Sequence, residues 1–481
     1  MRLAVVGNPD NRRVTLFVEA AVRAGLPVPV VHPWREVLSS GPGAAPPPTA
    51  SSPSPGSAVA GAGTVRFAAA GPPAASSPSP RSAVPGPGTF VRIESPGEDA
   101  EVDRLLRERG SGRPAVAAEH GEIVGAAAAF AGLRWALDRV AAGGGVLLNQ
   151  PDDILTMSDK PRCHALLSAA GIPVPPALPP VHDYASLRAA MADAGWNRVF
   201  VKPAHGSSAS GVLAFATAGR RVTAATSVEL SGDKIFNNLR VRRYDDEASI
   251  RAIVDRLGPD GLHVERWYPK ATLGDRVLDL RVVVIAGEPR HVVVRTSRSP
   301  MTNLHLGNTR GDVAAVRAAA GARSWAAAME TCARVAAVFP GTLHAGVDLM
   351  FRTGWRDHAV AEVNAFGDLL PRVLADGLDT YGAQIAALTA GWSPALPPDR
   401  PGATSSALDE PGAVPSSLDG LAVASSTLGG LGATSSALNG SGAASSALNG
   451  PGAASSALEG PGPCLPRSVG LRPVDGRVCR A

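Results

Sequence analysis

The chain has 481 residues, and its 46 lysine and arginine residues outnumber its 42 aspartate and glutamate residues, which gives a formal net charge of +4. The basic residues are spread singly among acidic ones, so no block of positive charge marks a nucleic-acid-binding surface. The four cysteines, Cys163, Cys332, Cys464 and Cys479, show no CxxC spacing, which argues against a zinc ribbon or a disulfide framework.

Hydropathy excludes a membrane segment. The amino terminus "MRLAVVGNPDNRR" turns polar early, and no stretch approaches the roughly 18 uncharged apolar residues of a membrane span. We therefore expect a cytoplasmic protein with neither a membrane nor a nucleic acid as its partner.

The amino-terminal stretch predicts an α/β unit. "RLAVVG", "RRVTLFVEAAVRAGL" and "PVPVVHP" follow one another as strand, helix and strand, while "GNPDNR" lacks the GxGxxG pattern of a dinucleotide-binding turn. Residues 39 to 90 are rich in Pro, Gly, Ser and Ala, and "TFVRIESPGEDAEVDRLLRERG" then resumes with a strand, a turn and a helix. We expect an α/β domain over residues 1 to 147 that carries 39 to 90 as a low-complexity, disordered insert.

Residues 148 to 392 form the densest part of the pattern. A turn is followed by a helix from about Lys160, which Gly171 and two prolines end, and strands then alternate with helices. "DLRVVVIAGEPRHVVVRTS" reads as a β-hairpin. The predicted fold class is α/β and α+β.

Residues 393 to 481 carry a decapeptide repeat, as in "GATSSALNGS" and "GAASSALNGP". One short apolar side chain per repeat cannot build a core, so the sequence favours a disordered tail over a solenoid.

Lysine is rare in this chain, since only four of the 46 basic residues are lysines. Lys202 ends the strand "RVFVK" and precedes a loop of small residues that includes Ser207 and Ser208, whose backbone N–H groups could cover a phosphate. The alternative is a polar hairpin loop with a surface lysine. Lys160 stands at a helix start, where it opposes the helix dipole; a bound phosphate would explain it, and so would simple solvation.

Two further stretches point to a nucleotide and a metal. In "LHVERWYPKA" a predicted strand ends at Glu265 to Trp267, and the backbone there could pair with an adenine edge. The alternative is an ordinary edge strand. In "AGVDLMFRTGWRDHAVAEVNA", two strands joined by a turn would bring together Asp348, Glu362 and Asn364. Such hard oxygen ligands suit Mg²⁺ bound together with nucleotide phosphates. The alternative is a half-buried hairpin with solvent-facing acids, which is disfavoured because it would leave Glu362 and Asn364 inside an otherwise apolar run.

These motifs occur in an order that resembles the ATP-grasp superfamily, nearest its RimK-type and glutathione-synthetase-like ligases. The resemblance covers roughly residues 148 to 392 and also includes "DLRVVVIAGEP" and "TNLHLGN". It implies an ATP-grasp domain behind a pre-ATP-grasp α/β domain, with ATP held between two α+β lobes. Within the superfamily the chain looks most like an uncharacterised bacterial group, so no substrate comes with the resemblance.

The resemblance also implies roles for individual residues. Lys160, Lys202 and Asn303 would meet the ATP phosphates, Glu265 to Trp267 would line adenine, and Asp279 would lie near the ribose. Asp348, Glu362 and Asn364 would hold Mg²⁺ or Mn²⁺, and Arg281 and Arg295 would stabilise the transferring phosphoryl or clamp a carboxylate. An exposed arginine on a sheet face is the alternative for Arg295.

The implied activity is ligation of a small-molecule or peptide carboxylate to an amine, with an acyl phosphate as intermediate. An ATP-grasp kinase and a non-catalytic nucleotide-binding module are the alternatives.

Two positions depart from the RimK-type pattern: Ala209 stands where the loop usually has glycine, and "NAFGD" replaces "NASPG" beside the acceptor site. The sequence does not indicate an oligomeric state.

Overall fold

The computed structural model describes residues 1–39, 83–206 and 209–395. Most of the predicted insert, Ser207 and Ser208 of the small-residue loop, and nearly all of the predicted tail lie outside these ranges. In the described ranges, no helix is both long and apolar enough to cross a bilayer.

A parallel four-stranded sheet opens the chain, in the strand order β2-β1-β3-β4. Its elements are β1 (Leu3–Gly7), α1 (Arg12–Arg23), β2 (Val30–Pro33), α2 (Trp34–Ser39), β3 (Phe90–Ile93), α3 (Ala100–Ser111), α4 (Ala126–Ala142) and β4 (Val146–Leu147). Because β1 pairs with both β2 and β3, the chain on either side of residues 40–82 belongs to one sheet. The expected strand, helix and strand are present, followed by the expected strand and helix.

An antiparallel five-stranded sheet follows, in the order β8-β7-β6-β5-β9. This part contains α5 (Pro151–Ser158), α6 (Lys160–Ala169), α7 (Tyr184–Asp193), β5 (Arg198–Pro203), β6 (Leu213–Ala218), β7 (Arg221–Ser231), β8 (Lys234–Tyr244), α8 (Glu247–Leu257) and β9 (Leu262–Arg266). Its core includes Leu187 of α7, Val201 of β5 and Ile253 of α8, all fully buried.

A second antiparallel sheet runs in the order β13-β12-β11-β14-β15, with β10 paired to β11. The elements are β10 (Thr272–Leu273), β11 (Arg276–Ile285), β12 (Glu288–Ser297), β13 (Thr309–Gly311), α9 (Val313–Val338), β14 (His344–Phe351), β15 (His358–Asn364) and α10 (Thr380–Thr389). The predicted hairpin is β11–β12, and its turn residues Ala286 and Gly287 have φ of 53° and 87°. Both values are left-handed, as a two-residue turn between twisted strands requires.

The mixed α/β and α+β class is therefore correct, and the two antiparallel sheets with their helices form the two expected α+β lobes. One local prediction is wrong: residues 151 to 158 form helix α5 rather than a turn. Pro151 occupies the first helical position, and Asp152 and Asp153 lie in the first turn, where acidic side chains favour the helix dipole. Helix α6 begins at Lys160 as expected, because the Asp159 carboxylate accepts a hydrogen bond from Arg162 N.

Candidate functional site

A cleft of about 530 Å³ is lined by strands, helices and loops from the amino-terminal α/β part and from both antiparallel sheets. Helix α1 contributes Arg13 and its cap Asn11, the loop after β3 contributes residues 95 to 98, and helix α4 contributes Phe130. From the second antiparallel sheet come Arg281, Arg295 and most of the segment 362 to 370. Glu362 also borders a cavity of about 20 Å³ that Lys160 and Glu265 line.

Lys202 is the penultimate residue of strand β5, and its side chain reaches across to β9. Its Nζ donates a hydrogen bond to Glu265 Oε2 at 2.6 Å and to Ala361 O at 3.3 Å. His263 Nε2 lies 2.9 Å from the other carboxylate oxygen. Burial alone would raise the pKa of Glu265, but the Lys202 ammonium and the His263 bond outweigh it and lower the pKa to about 2. The lysine and the glutamate thus form a buried ion pair.

Lys160 is the first residue of α6, and its side chain turns toward β15. The Nζ donates to Gly206 O at 2.8 Å and lies 3.4 Å from Glu362 Oε1. Lys160 therefore joins the small-residue loop after β5 to a predicted metal ligand. It is not a freely solvated lysine, because its side chain is only 12% exposed.

The carboxylate of Asp348 lies between two arginines. Arg281 donates to both carboxylate oxygens through Nε and Nη2, and Arg295 Nη2 lies 3.0 Å from Oδ2. Burial opposes ionisation, but the two guanidinium groups hold the pKa of Asp348 below its usual value. Arg295 is 7% exposed, which excludes an exposed arginine on a sheet face.

Asp279 continues this chain of charges. Its Oδ1 accepts from Arg295 Nε at 2.7 Å, and its Oδ2 accepts from the Thr302 hydroxyl. Lys270 Nζ donates to Thr302 Oγ1 at 2.8 Å and lies 3.4 Å from Asp279 Oδ2. Cations and carboxylates thus alternate along one series of side chains: Lys270, Asp279, Arg295, Asp348 and Arg281.

The predicted metal ligands share one face of the β14–β15 pair. Asp348 lies opposite Glu362, and Gly346 lies opposite Asn364, so the three side chains are at neighbouring positions on the two strands. Asn364 Nδ2 points toward Gly346 O at 3.4 Å. The set consists of two carboxylates and one amide. Within the described ranges there is no group of three or more His, Cys, Asp or Glu that could hold a metal.

Hydrogen bonds at the end of β9 limit which backbone groups could pair with adenine. Arg266 N donates to Pro176 O at 2.8 Å, and Trp267 N donates to Arg198 O at 3.1 Å. These two N–H groups are therefore committed within the protein. The Trp267 ring lies 5.1 Å from the Phe200 ring, centroid to centroid.

Asn303 and Ala209 occupy local turns around the cleft. Asn303 lines the cleft and accepts from His305 N at 3.0 Å, so its side chain caps the turn Leu304–Leu306. Ala209 has a φ of 59°, in the left-handed region that favours glycine. This backbone conformation explains why glycine is usual at the position, and alanine adopts it with some backbone strain.

The "NAFGD" loop is fixed by contacts from several elements. Phe366 O accepts from Arg13 Nη1 at 2.6 Å, and Gly367 O accepts from Arg281 Nη1 at 3.1 Å. A Cβ on Gly367 would lie 2.9 Å from Gly346 Cα, so glycine permits this close approach. Asp368 is fully buried and lies 2.6 Å from Arg92 Nη2.

Sequence reasoning did not single out Lys270, Arg13 or Arg92. The rarity of lysine that pointed to Lys160 and Lys202 applies equally to Lys270. Arg13 lies in the first turn of α1, where a positive charge opposes the helix dipole just as Lys160 does in α6. Arg92 gave no signal, because an arginine inside a short apolar strand usually reads as a solvent-facing residue.

No protein-family model matches the sequence, and no curated protein matches it. The solved structures that it resembles include the ATP-grasp ligase PsnB in complex with a phosphomimetic variant of a minimal precursor, Mg and ADP (19% identity, TM-score 0.40, 81% of this chain and 98% of that chain). D-cycloserine synthetase DcsG matches at 16% identity and a TM-score of 0.44, over 81% of this chain and 99% of that chain. A RimK domain protein from Sphaerobacter thermophilus matches at 17% identity and a TM-score of 0.39, over 80% and 98%.

Of these neighbours, PsnB is named as an ATP-grasp ligase and the Sphaerobacter protein as an ATP-grasp protein. Their identities and TM-scores are too low to transfer an activity to this chain. The function proposed below therefore rests on the chain's own residues.

Proposed function

We propose that this protein is an ATP- and Mg²⁺-dependent ligase that joins a carboxylate to an amine through an acyl phosphate. The observation that carries the proposal is the pairing of Lys160 with Glu362 across 3.4 Å at the edge of the cleft. A residue expected to bind phosphate thus lies against one expected to bind metal. A nucleotide with its divalent cation can replace both partners at once, because phosphate oxygens satisfy the lysine and the cation satisfies the glutamate.

The nucleotide-binding residues follow the same logic. Lys160 and Lys202 would meet the phosphates as compact ammonium groups, and Ser207 and Ser208 would supply backbone N–H groups. Adenine would lie near Glu265 and Trp267, and the proposal places Asp279 near the ribose and Asn303 near the phosphates. Since the N–H groups of residues 266 and 267 are committed, carbonyl groups of this segment would accept from adenine.

The residues present fit Mg²⁺ by the chemistry of the donor set. Glu362 and Asp348 offer carboxylate oxygens and Asn364 an amide oxygen, and Mg²⁺ typically takes one or two carboxylates together with substrate phosphates. Asp348 accepts two hydrogen bonds from Arg281 and forms an ion pair with Arg295, which leaves part of its acceptor capacity for a metal. When bound, Mg²⁺ would neutralise charge on the transferring phosphoryl group.

The proposed reaction has two steps. A substrate carboxylate oxygen attacks the γ-phosphorus of ATP, the bond to the bridging oxygen breaks, and ADP leaves. An amine nitrogen then attacks the acyl carbon, inorganic phosphate leaves, and the nitrogen loses a proton. Arg281 and Arg295 keep two positive charges at the cleft wall, where their field would stabilise the transferring phosphoryl.

ADP release tests this proposal. MgATP is incubated with pools of small carboxylates and dipeptides, with pools of amines, and with both, and we expect ADP release to require one carboxylate and one amine together. Release with a single acceptor and a stable phosphorylated product would instead identify a kinase. MgATP binding without ADP release from any pool would contradict an enzymatic role.

A further inference from the structure

The lining of the 530 Å³ cleft combines apolar side chains with arginines. The apolar part comes from α3, α4, the segment before α4 and the loop after β15: Leu106, Ile123, Phe130, Leu133, Leu369 and Leu370. The arginines are Arg13, Arg281 and Arg295. Such a lining suits a molecule with an apolar body and an anionic group.

Two of the three arginines are already committed to carboxylates of the protein. Arg281 bonds Asp348 with two nitrogens and Gly367 O with the third. Arg295 is shared between Asp279 and Asp348. Neither has a whole guanidinium edge left for a ligand.

Arg13 differs from both. Its guanidinium donates one hydrogen bond, from Nη1 to Phe366 O at 2.6 Å, and in the described part of the chain it forms no ion pair with a carboxylate. Glu94 and Asp368 are close enough to feel its charge, but each of them bonds Arg92. Most of the five guanidinium N–H donors of Arg13 are therefore available at the cleft wall.

The acidic residues of the cleft do not compensate Arg13, because each has another partner. Glu98 accepts from Asn11, Asp103 pairs with Arg107, Glu122 with Lys234 and Glu362 with Lys160. Arg13 is therefore the cleft-lining arginine, within the described ranges, that lacks a carboxylate.

The position of Arg13 in the fold also favours a ligand. The chain places β2 on one side of β1 and β3 on the other, so the strand order β2-β1-β3-β4 changes direction between β1 and β3. The loops that follow β1 and β3 therefore lead to opposite sides and leave a crevice at the carboxyl ends of these strands. Ligands of open parallel sheets bind in the crevice at such a point. Arg13 follows β1, and residues 95 to 98 follow β3; both line the cleft.

We infer that Arg13 binds the carboxylate of an acceptor substrate whose apolar body packs against Phe130 and its apolar neighbours. A guanidinium fork matches a carboxylate in geometry and charge, and a half-buried site strengthens the contact. This inference rests on the proposed function, because it assigns the acceptor side of the same cleft. It limits the acceptor class to carboxylates that carry an aryl or alkyl group.

A pair of probe molecules tests the inference. 3-Phenylpropanoate carries an apolar ring and a carboxylate, and 3-phenylpropanamide has nearly the same shape without the charge. In ligand-observed NMR titrations we expect wild-type protein to bind the acid in the millimolar range and about tenfold or more tightly than the amide. Arg13→Gln should abolish this preference, and Arg13→Lys should restore part of it.

Arg12→Gln is the matched control, because Arg12 is an exposed neighbour in the same helical turn and does not line the cleft. It should keep the preference for the acid. Equal binding of acid and amide by the wild type, no saturable binding of the acid, or a preference that survives in Arg13→Gln would each overturn the inference. Because the wild-type comparison needs no variant, a misfolded variant would not prevent the test.

MgATP binding by the wild type, measured separately, distinguishes this inference from the proposed function. Normal MgATP affinity without acid preference would leave the nucleotide site in place and reject the role of Arg13. Acid preference without MgATP binding would reject the ligase proposal and leave Arg13 as a carboxylate-binding residue.

Discussion

Lys202→Arg keeps the charge at the end of β5 but changes its shape. The Lys202 and Glu265 side chains are 13% and 7% exposed, and Nζ lies 2.6 Å from Glu265 Oε2 and 3.3 Å from Ala361 O. A guanidinium is wider and planar, so it can satisfy Glu265 without directing one compact donor at a phosphate. Losing one charge-assisted contact costs about 1.5 to 3 kcal/mol, so we expect MgATP affinity to fall roughly ten- to a hundredfold.

The effect on the free energy of unfolding should be smaller. Lowering the pKa of Glu265 from 4.5 to about 2 corresponds to a net of about 3 kcal/mol in favour of the ionised carboxylate, after burial has offset part of the effect of Lys202 and His263. This contribution is fully present above pH 4.5 and is lost as the pH falls through about 2. Arginine retains a cation beside Glu265, so Lys202→Arg should lower the unfolding free energy at pH 7 by less than about 1 kcal/mol, whereas Lys202→Met should cost up to about 3 kcal/mol.

Calorimetric titration with MgATP and urea unfolding measure the two quantities. Lys234→Arg is the matched control, because Lys234 is 40% exposed, pairs with Glu119 and Glu122, and does not itself line the cleft. It should change neither quantity appreciably. Near-native MgATP affinity in both variants would refute the role of Lys202 as a phosphate ligand.

Three further changes test other parts of the account. Glu362→Gln keeps the shape but removes one charge, so the Mg²⁺ concentration that supports half-maximal ADP release should rise about tenfold or more; an unchanged Mg²⁺ requirement would reject Glu362 as a ligand. Asp368→Asn weakens a fully buried pair with Arg92, and urea unfolding should show a loss of about 3 to 5 kcal/mol, whereas a loss below about 1 kcal/mol would contradict the buried pair. Truncation after residue 395 removes no predicted ligand, so MgATP affinity should stay within about twofold; abolished binding in a folded protein would contradict this.

The sequence predicted the elements that local signals specify. The predicted helix from about Lys160, ended by Gly171 and two prolines, is α6, and the turn residues between β11 and β12 define the hairpin. The pairing of Asp348 with Glu362 followed from the turn between β14 and β15. In each case the signal lies within a few residues of the structure that it determines.

The sequence could not predict contacts between distant elements. The contacts of Arg281 and Arg295 with Asp348 were not predicted, because strand order rather than local pattern brings β11, β12 and β14 together. Lys270 was missed for the same reason, since its partner Thr302 lies on another segment. Helix α5 was missed because a proline followed by two aspartates also fits a turn.

Transfer of a carboxylate oxygen to phosphate tests the central claim most directly. A pool of carboxylates labelled with ¹⁸O is incubated with MgATP, an amine pool and the enzyme, and the inorganic phosphate released is analysed by mass spectrometry. An acyl phosphate places one carboxylate oxygen on phosphorus, so we predict inorganic phosphate that carries one ¹⁸O atom, in an amount equal to the ADP formed. ADP release accompanied only by unlabelled phosphate would show that water or another group accepts the phosphoryl, and would contradict the proposed ligase mechanism.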